Sequence, residues 1–194
     1  MCIRSHKRLS TGFTLFELVV VMLIVAVLAA IGLPSFKYVT ASNRISTEIN
    51  ALLADMRYAR SEALKEGLPV TVCASADGLT CTGGSSSVWT AGWIVFSDPS
   101  SSQTVPSGAV PLRVQPSLTQ AFNSSDTLTA DNGFYAETFN REGFGAANIA
   151  RPGNTVTMVL HSVPANSDWT RCLAITTVGL LTVQRTTSGN GACT

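Results

Sequence analysis

Glu17 is the side chain whose position in this sequence most needs a chemical explanation. It is the only ionisable residue between Arg8 and Lys37, and the apolar run from Leu18 to Leu33 follows it directly. In hydrocarbon, a lone carboxylate costs about 2.5 to 3.5 kcal/mol on insertion scales. Because two buried opposite charges are tolerated where one is not, the sequence predicts that Glu17 meets a partner of positive charge.

The other residues that could do chemistry lack the sequence patterns that activate them. The sequence contains no G-x-S-x-G elbow, no H-E-x-x-H, no phosphate-binding loop and no C-x-x-C. Its two histidines are His6, near the basic N-terminus, and His161, inside the apolar run Val156 to Val163, where a strand residue is expected. We therefore expect no enzyme activity, no catalytic residue, no cofactor and no metal site.

Four of the five cysteines lie beyond the apolar run, and an even number suits an oxidising compartment. Of the possible pairings, the local one is favoured, Cys73 with Cys81 and Cys172 with Cys193, because each pair encloses a turn rich in Gly, Ser and Thr. Each bond would stabilise the fold by about 2 to 4 kcal/mol. A zinc site is the alternative, but the spacings match no common zinc pattern and no histidine pair accompanies them.

A long helix must position Glu17 and the residues behind it. From Ile45 to Leu64, apolar residues recur at steps of three and four, with charged residues between them. Gly67 and Pro69 are typical of a helix end. We expect one helix from about Phe13 to Glu66, whose residues 35–67 form an amphipathic continuation of the apolar first half.

Residues 13–34 are apolar enough to form the membrane-spanning first half of this helix, since an average span needs about 20 residues. Three cations, Arg4, Lys7 and Arg8, precede the span. The positive-inside bias then keeps the N-terminus in the cytoplasm and sends the rest of the chain outward.

From Leu68 onward, short runs rich in Val, Thr, Ile and aromatic residues alternate with clusters of Gly, Pro, Asn and Ser, a texture typical of β-strands. The expected fold is α+β, a long N-terminal helix packed on a mainly antiparallel sheet, with residues 68–194 as a β-rich head domain. The tryptophans are expected in the core or covering a sheet edge. The expected strands are Val70 to Ala74, Trp89 to Ser97, Leu112 to Gln115, Gly133 to Phe139, Thr155 to Ser162, Cys172 to Thr177 and Leu180 to Arg185.

The motif Gly12-Phe13-Thr14-Leu15-x-Glu17 followed by an apolar helix resembles the class III signal of type IV prepilins and pseudopilins. The resemblance implies that residues 1–12 are a leader, cleaved between Gly12 and Phe13 by a prepilin peptidase, and that the new Phe13 amine is methylated. The alternative is an ordinary secretory signal cut after Ala30. That alternative leaves Gly12 and Glu17 unexplained.

The same resemblance assigns assembly roles to Glu17 and Pro34. Glu17 matches the family glutamate that neutralises the N-terminal amine of a neighbouring subunit in a filament. Pro34 lies at the same distance from the cleavage point as a family proline, and it is expected to kink or loosen the helix because proline removes one backbone donor. The alternative at Pro34 is a helix boundary at the membrane surface.

Five further pieces of the sequence carry a narrower resemblance. They are Ala59-Arg60-Ser61-Glu62-Ala63, Val72-Cys73, Gly92-Trp93-Ile94-Val95-Phe96-x-Asp98, Leu112-Arg113 and Arg171-Cys172-Leu173. Together they resemble the FimT/GspH minor pilins, over nearly the whole chain. The resemblance implies a minor pilin or pseudopilin in the inner membrane, with a periplasmic head, in the tip or priming complex of a type IV pilus or a type II secretion pseudopilus. The expected partners are other pilins, bound through the N-terminal helix.

DNA binding in natural transformation is the alternative function. Some FimT-like members carry a basic G-R-x-R segment that contacts DNA, whereas this sequence has Gly179-Leu180-Leu181-Thr182 there. Arg171 and Arg185 remain as candidate DNA contacts. The net charge of +1 falls to −2 without the three leader cations, since 10 Lys and Arg then face 12 Asp and Glu, so nothing global favours nucleic acid.

Overall fold

The computed structural model describes residues 12–83, 88–118, 120–121, 124–147, 154–163 and 167–185. The chain separates into two compact units, residues 1–40 and residues 41–194, and one helix, α1 (Leu15–Glu66), contributes to both. The predicted helix from Phe13 to Glu66 is therefore confirmed, with a start two residues later. At its end, Gly67 donates its backbone N–H to the Ala63 carbonyl (3.0 Å).

Ten β-strands are found in the described part of the second unit, which we call the head. In chain order they are β1 (Val70–Ala74), β2 (Trp93–Ser97), β3 (Arg113–Gln115), β4 (Gln120–Ala121), β5 (Ser124–Ala130), β6 (Ala136–Phe139), β7 (Gly145–Ala147), β8 (Thr155–Val163), β9 (Arg171–Thr176) and β10 (Leu181–Arg185). They form two five-stranded sheets, ordered β3-β2-β1-β6-β7 and β10-β9-β8-β5-β4. Every strand pair is antiparallel.

The main hydrophobic core forms between the apolar stripe of α1 and one face of each sheet. The stripe is the one expected from the sequence up to Ala63, whereas Leu64 at its expected end is 52% exposed. The strands contribute alternate residues because successive side chains point to opposite faces. Burial of one such large side chain is worth about 1.5 to 3 kcal/mol. Buried members include Ile45, Ile49, Leu52 and Met56 of the helix, Val72 and Trp93 of the first sheet, and Leu128, Met158 and Leu173 of the second.

Gly92 divides the predicted strand Trp89 to Ser97 into two elements. Val88–Ala91 is a 3-10 turn, and only Trp93–Ser97 pairs as a strand. Gly92 has φ 112°, and a Cβ atom there would collide with the backbone of Gln115 on the neighbouring strand. Glycine is therefore required at this position, where the chain turns into β2 at close backbone approach.

The expectation of one sheet was incomplete, because the chain forms two. The second sheet contains the predicted strands β8, β9 and β10, and β5 pairs beside β8. The strand β5 was missed because its sequence, SSDTLTA, looks like a polar loop. Within it Asp126 and Leu128 are nevertheless buried. The predicted strand Gly133 to Phe139 starts three residues late, at Ala136, because a 3-10 turn over Asp131–Gly133 occupies its beginning.

Candidate functional site

The predicted processing junction lies at the start of the described chain, just ahead of α1. The Phe13 side chain is 83% exposed, and among the described residues no atom beyond the chain neighbours of Gly12 lies within 4 Å of the position that a Cβ there would occupy. The peptide bond between these two residues is thus open to solvent in this unit, as attack by a peptidase requires. Cleavage and methylation at this bond stay predictions.

The Thr14 side chain caps the start of α1. The Glu17 backbone N–H donates to Thr14 Oγ1 (3.2 Å), which satisfies one of the unpaired donors at the helix start. Thr14 directly precedes the helix and Glu17 is its third residue, the spacing of a capping box. This role was missed from the sequence, although Thr-x-x-Glu ahead of an apolar run is its recognised signal.

The Glu17 carboxylate lies in a segment that exposes almost only apolar side chains. Large apolar residues from Leu15 to Ile31 are 39% to 83% exposed. This part of α1 is long and apolar enough to cross a membrane. Among the described residues, no ion pair involves Glu17. The Glu17 carboxylate is therefore available to a neighbour's amine, and the pairing itself remains a prediction.

Pro34 lies inside α1, whose helical backbone continues through it to Glu66. The alternative of a helix boundary at this proline is therefore wrong. A kink or a loosened turn at Pro34, and its role in assembly, stay predictions.

In the head, Asp55 joins α1 to the first sheet through both of its carboxylate oxygens. Trp93 Nε1 donates to Oδ2 (2.9 Å) and Arg113 Nη1 donates to Oδ1 (2.9 Å). The Arg113 guanidinium also lies 3.9 Å from the ring centroid of Tyr58, a cation–π geometry. Two of the sequence pieces that carry the family resemblance thus meet at one buried carboxylate, and their role here is structural.

A second ion pair joins α1 to the other sheet. The Arg44 guanidinium donates through Nε and Nη2 to the two oxygens of Asp126, with 2.8 Å between Nη2 and Oδ1. The Asp126 side chain is fully buried and that of Arg44 is 16% exposed. The hydrogen bond to Asp126 raises the pKa of Arg44 above its usual value, and attraction to Glu48, one turn along, adds to this. Nothing in the sequence alone linked residues this far apart.

The predicted disulfide between Cys73 and Cys81 is present, with 5.6 Å between the Cα atoms. It closes a loop organised by Asp77, whose carboxylate accepts hydrogen bonds from the Leu79 and Thr80 backbone N–H groups (2.8 Å each). The Thr80 hydroxyl donates to the same carboxylate (2.7 Å). These bonds, above all those from Thr80, hold the pKa of Asp77 well below its usual range.

The second predicted disulfide joins Cys172 to Cys193. Cys172 lies in β9 and is disulfide-bonded. Because Cys193 is outside the described residues, the pairing itself stays a prediction.

Arg171 and Arg185, the candidate DNA contacts, are neighbours on paired strands but differ in exposure. Arg171 is only 4% exposed, and its Nη1 donates to the carbonyls of Asp168 (2.9 Å) and Thr170 (3.0 Å). Arg185 is exposed at the end of the edge strand β10. The structure therefore corrects the assignment of Arg171, whose guanidinium is not presented to a phosphate, and leaves a single arginine of the pair on the surface.

The residues weighed for other chemistry take structural positions. His161 lies in β8 opposite Thr127 of β5, as a strand residue. Trp89 and Trp93 are buried, and Trp89 stacks on Phe134 with 5.6 Å between ring centroids. Within the described part of the chain, no group of three or more His, Cys, Asp or Glu side chains could hold a metal ion.

Comparison with known proteins agrees with this architecture. The sequence profile of the type II transport protein GspH matches residues 48–179, and that of the prokaryotic N-terminal methylation motif matches residues 7–33. A search of curated proteins returned no match.

Two solved structures of the type IV minor pilin FimU from Pseudomonas aeruginosa are similar to this chain. In one crystal form the match has 21% sequence identity and a TM-score of 0.52, and it covers 73% of this chain and 89% of that chain. In the other form the identity is again 21%, the TM-score is 0.46, and the coverage is 75% and 90%. At this identity the first match shows a shared pilin-like fold. With a GspH match over most of its length and a methylation motif ahead of it, the chain belongs to the GspH family and is a structural, non-catalytic pilin or pseudopilin.

Proposed function

We propose that this protein is a minor subunit in the tip or priming complex of a type IV pilus or type II secretion pseudopilus. Before assembly, residues 13–34 would anchor it in the inner membrane, with the leader in the cytoplasm and the head in the periplasm. The observation that carries the proposal is the exposed apolar helix with one carboxylate, Glu17, in its first turn.

The proposed mechanism of assembly follows from what this helix exposes. In water its apolar side chains would cost about 25 cal/mol for each Å² of apolar surface, so they require lipid or another helix. Cleavage after Gly12 creates a new amine on Phe13, close to the first turn of α1. The carboxylate at the position of Glu17 in a neighbouring subunit would then pair with this amine. The pairing offsets the cost of burying the two charges and sets the axial register of the two subunits.

The helix cap supports this mechanism. Thr14 satisfies the Glu17 backbone N–H, and an acidic side chain in the first turn interacts favourably with the helix dipole. The start of α1 is therefore ordered by its own residues, while the Glu17 carboxylate is left for a cation from another molecule. A subunit with its own internal partner for Glu17 would have no need of a neighbour.

Intact-mass and N-terminal analysis of the full chain, expressed with and without a prepilin peptidase, tests the proposal. We expect a chain that begins at methylated Phe13 only when the peptidase is present. Gly12→Asp should leave the uncleaved precursor, whereas Gly108→Asp, the same change at an open turn of the head, should be cleaved as wild type is. A chain cut after Ala30, or never cut, would refute the assembly role.

DNA uptake is the alternative function, and the described residues give it little support. Arg171 is buried, and the turn Gly179-Leu180-Leu181 carries no cation. Binding to phosphates is sequence-blind and needs several clustered cations. A gel shift of the full chain in detergent with duplex DNA at low salt tests this, and binding that Arg185→Ala abolishes would revive the alternative.

A further inference from the structure

A groove in the head lies between one surface of α1 and the turn that joins β9 to β10. Its volume is about 370 Å³. The helix contributes side chains one turn apart, and the turn contributes three consecutive residues. The lining residues are Arg57, Arg60, Ser61 and Leu64 of α1, and Gly179, Leu180 and Leu181.

Four large apolar side chains in and beside the groove are about half exposed. Leu64 and Leu180 within it are 52% and 56% exposed, and Val178 and Phe144 on the adjoining turns are 55% and 51% exposed. The Asn140–Phe144 turn is close, since a Cβ on Gly143 would lie 3.4 Å from Leu64 Cδ2. Exposed apolar side chains with arginine beside them have the composition of a protein interface, in which an apolar centre has a polar rim and arginine is enriched.

Two guanidinium groups give this apolar groove a positive charge. Arg60 is fixed by hydrogen bonds from Nη1 to the Gly179 carbonyl (2.7 Å) and from Nη2 to the Val178 carbonyl (3.4 Å), neither of which neutralises its charge. Among the described residues, no ion pair involves Arg57 or Arg60. The acids beside them are already engaged, because Glu62 pairs with Lys65 and Glu142 pairs with Arg141.

We propose that this groove binds an apolar segment carrying an Asp or Glu from a different pilin-like subunit. The apolar walls would cover the leucine or aromatic side chains of that segment, and Arg57 would pair with its carboxylate. Charge-assisted hydrogen bonds from arginine to carboxylate are strong and directional, so they would fix the register of the two subunits. The proposal rests on the proposed function, since it names a contact within the assembled complex.

Other occupants fit the groove less well. A second copy of this chain fits less well, because the proposed function places its Glu17 beside a neighbour's N-terminal amine, and the carboxylates of Glu66 and Glu142 in its head are already paired. The chain's own C-terminal residues 186–194, TTSGNGACT, contain no Asp or Glu and no large apolar side chain. Nucleic acid fits less well, because the leucines of the groove offer no favourable contact to phosphate groups.

Site-specific photo-crosslinking in host cells tests the proposal on the full-length protein. Ser61, an exposed residue of the groove, is replaced by the photoreactive residue p-benzoylphenylalanine, and the crosslinked peptide is sequenced by mass spectrometry. We expect a peptide from another subunit that has its own N-terminal methylation motif, with an Asp or Glu among apolar residues. Arg57→Glu and Leu180→Asp should each lower its yield about tenfold, which corresponds to about 1.4 kcal/mol.

Matched controls separate the groove from general effects of charge and polarity. Arg185→Glu reverses another exposed arginine, and Leu79→Asp changes a leucine of similar exposure (63%) in the disulfide loop. Both should leave the crosslink unchanged. A crosslink to DNA or to another copy of this chain, a peptide without an acid, or equal yields in Arg57→Glu and the controls would overturn the proposal. Cleavage after Gly12 in the same samples shows whether the proposed function holds independently of the groove.

Discussion

The two units of this protein treat apolar surface and charge in opposite ways. In the first unit, large apolar side chains from Leu15 to Ile31 are exposed, and Glu17 has no ion-pair partner among the described residues. In the head, the apolar stripe of α1 is buried and Asp55 and Asp126 are each paired with an arginine. The first unit leaves its apolar side chains and its carboxylate available to other molecules, whereas the head buries its apolar stripe and pairs these carboxylates with its own residues.

The difference lies in one helix, so it is not a difference in secondary structure. Before Thr40 the helix carries apolar residues on all sides, which suits lipid or neighbouring helices. After Ala41 it carries a single apolar stripe with charged residues between, which suits packing on two sheets. The groove at Arg57 and Leu180 is the exception in the head, because it leaves apolar and charged surface uncovered.

Breaking the Arg44–Asp126 pair should have the largest effect on the stability of the head. Arg44→Met leaves a fully buried carboxylate without its cation, which we expect to cost about 3 to 5 kcal/mol in the free energy of unfolding. Urea unfolding of the full chain in detergent, followed by tryptophan fluorescence, measures this.

Lys65→Met is the matched control, because Lys65 pairs with Glu62 and Glu66 at the surface, where water screens the charges, so its loss should leave the free energy of unfolding nearly unchanged. If both variants lose the same small amount of stability, the buried pair does not support the head as we describe.

Removing the Cys73–Cys81 disulfide should have the next largest effect. The double variant Cys73→Ser with Cys81→Ser opens a loop whose ends are eight positions apart in the chain. Chain entropy predicts that the free energy of unfolding falls by about 2 to 3 kcal/mol. Thermal unfolding measured by circular dichroism checks this. A reductant should lower the unfolding midpoint of wild-type protein further than the variant, because it also breaks the disulfide at Cys172. An unchanged unfolding midpoint in the variant would show that the Cys73–Cys81 bond adds no stability.

Glu17→Ala tests the first unit, whose carboxylate is expected to pair with another subunit. Because the carboxylate has no described partner within the chain, its loss should leave head stability, membrane insertion and cleavage unchanged. Incorporation into the fibre should fall about tenfold, the equivalent of about 1.4 kcal/mol. Quantitative immunoblotting of sheared fibres against total membranes measures this, with Glu66→Ala as a control on an exposed acid of the same helix. Normal incorporation would remove the pairing role of Glu17.

The sequence predicted the features that depend on neighbouring residues. The helix end at Glu66, the strand Val70–Ala74 and the lone charge at Glu17 are local patterns, and a reader of the sequence can see each within a few positions. The local disulfide between Cys73 and Cys81 belongs to the same class. The cap that Thr14 provides to the Glu17 backbone N–H is equally local, so the sequence contained enough information to predict it.

The features that sequence could not predict depend on residues far apart in the chain. Arg44 is 82 positions from Asp126, and Arg113 is 58 positions from Asp55. Periodicity gives the face of an element but not which element covers it, so these pairs were invisible. The strand β5 was missed for the same reason, because its polar residues are buried only once the second sheet forms.

The smallest expected effect is a pH dependence at Asp77, in the loop that the disulfide closes. Hydrogen bonds from Thr80 and Leu79 depress the pKa of Asp77 in the folded protein, so the unfolded chain binds a proton more readily as the pH falls below the ordinary value of 3.8. The stability that Asp77 contributes is thus fully present above that pH and is lost as the pH falls further. The difference in unfolding midpoint between wild type and Asp77→Ala should narrow from about pH 5 to about pH 2.

Thr80→Val is a matched comparison for this experiment, since it removes one donor to Asp77, the Thr80 hydroxyl (2.7 Å), and leaves the backbone N–H bonds from Leu79 and Thr80 in place. In the Thr80→Val background the narrowing caused by Asp77→Ala should be smaller, because the carboxylate then accepts one hydrogen bond fewer. A pH-independent difference for Asp77→Ala would mean that its ionised form is not preferred in the fold. The loop would then be stabilised by the disulfide and by bonds such as that from the Thr82 N–H to the Ala74 carbonyl (2.7 Å), and not by the charge of Asp77.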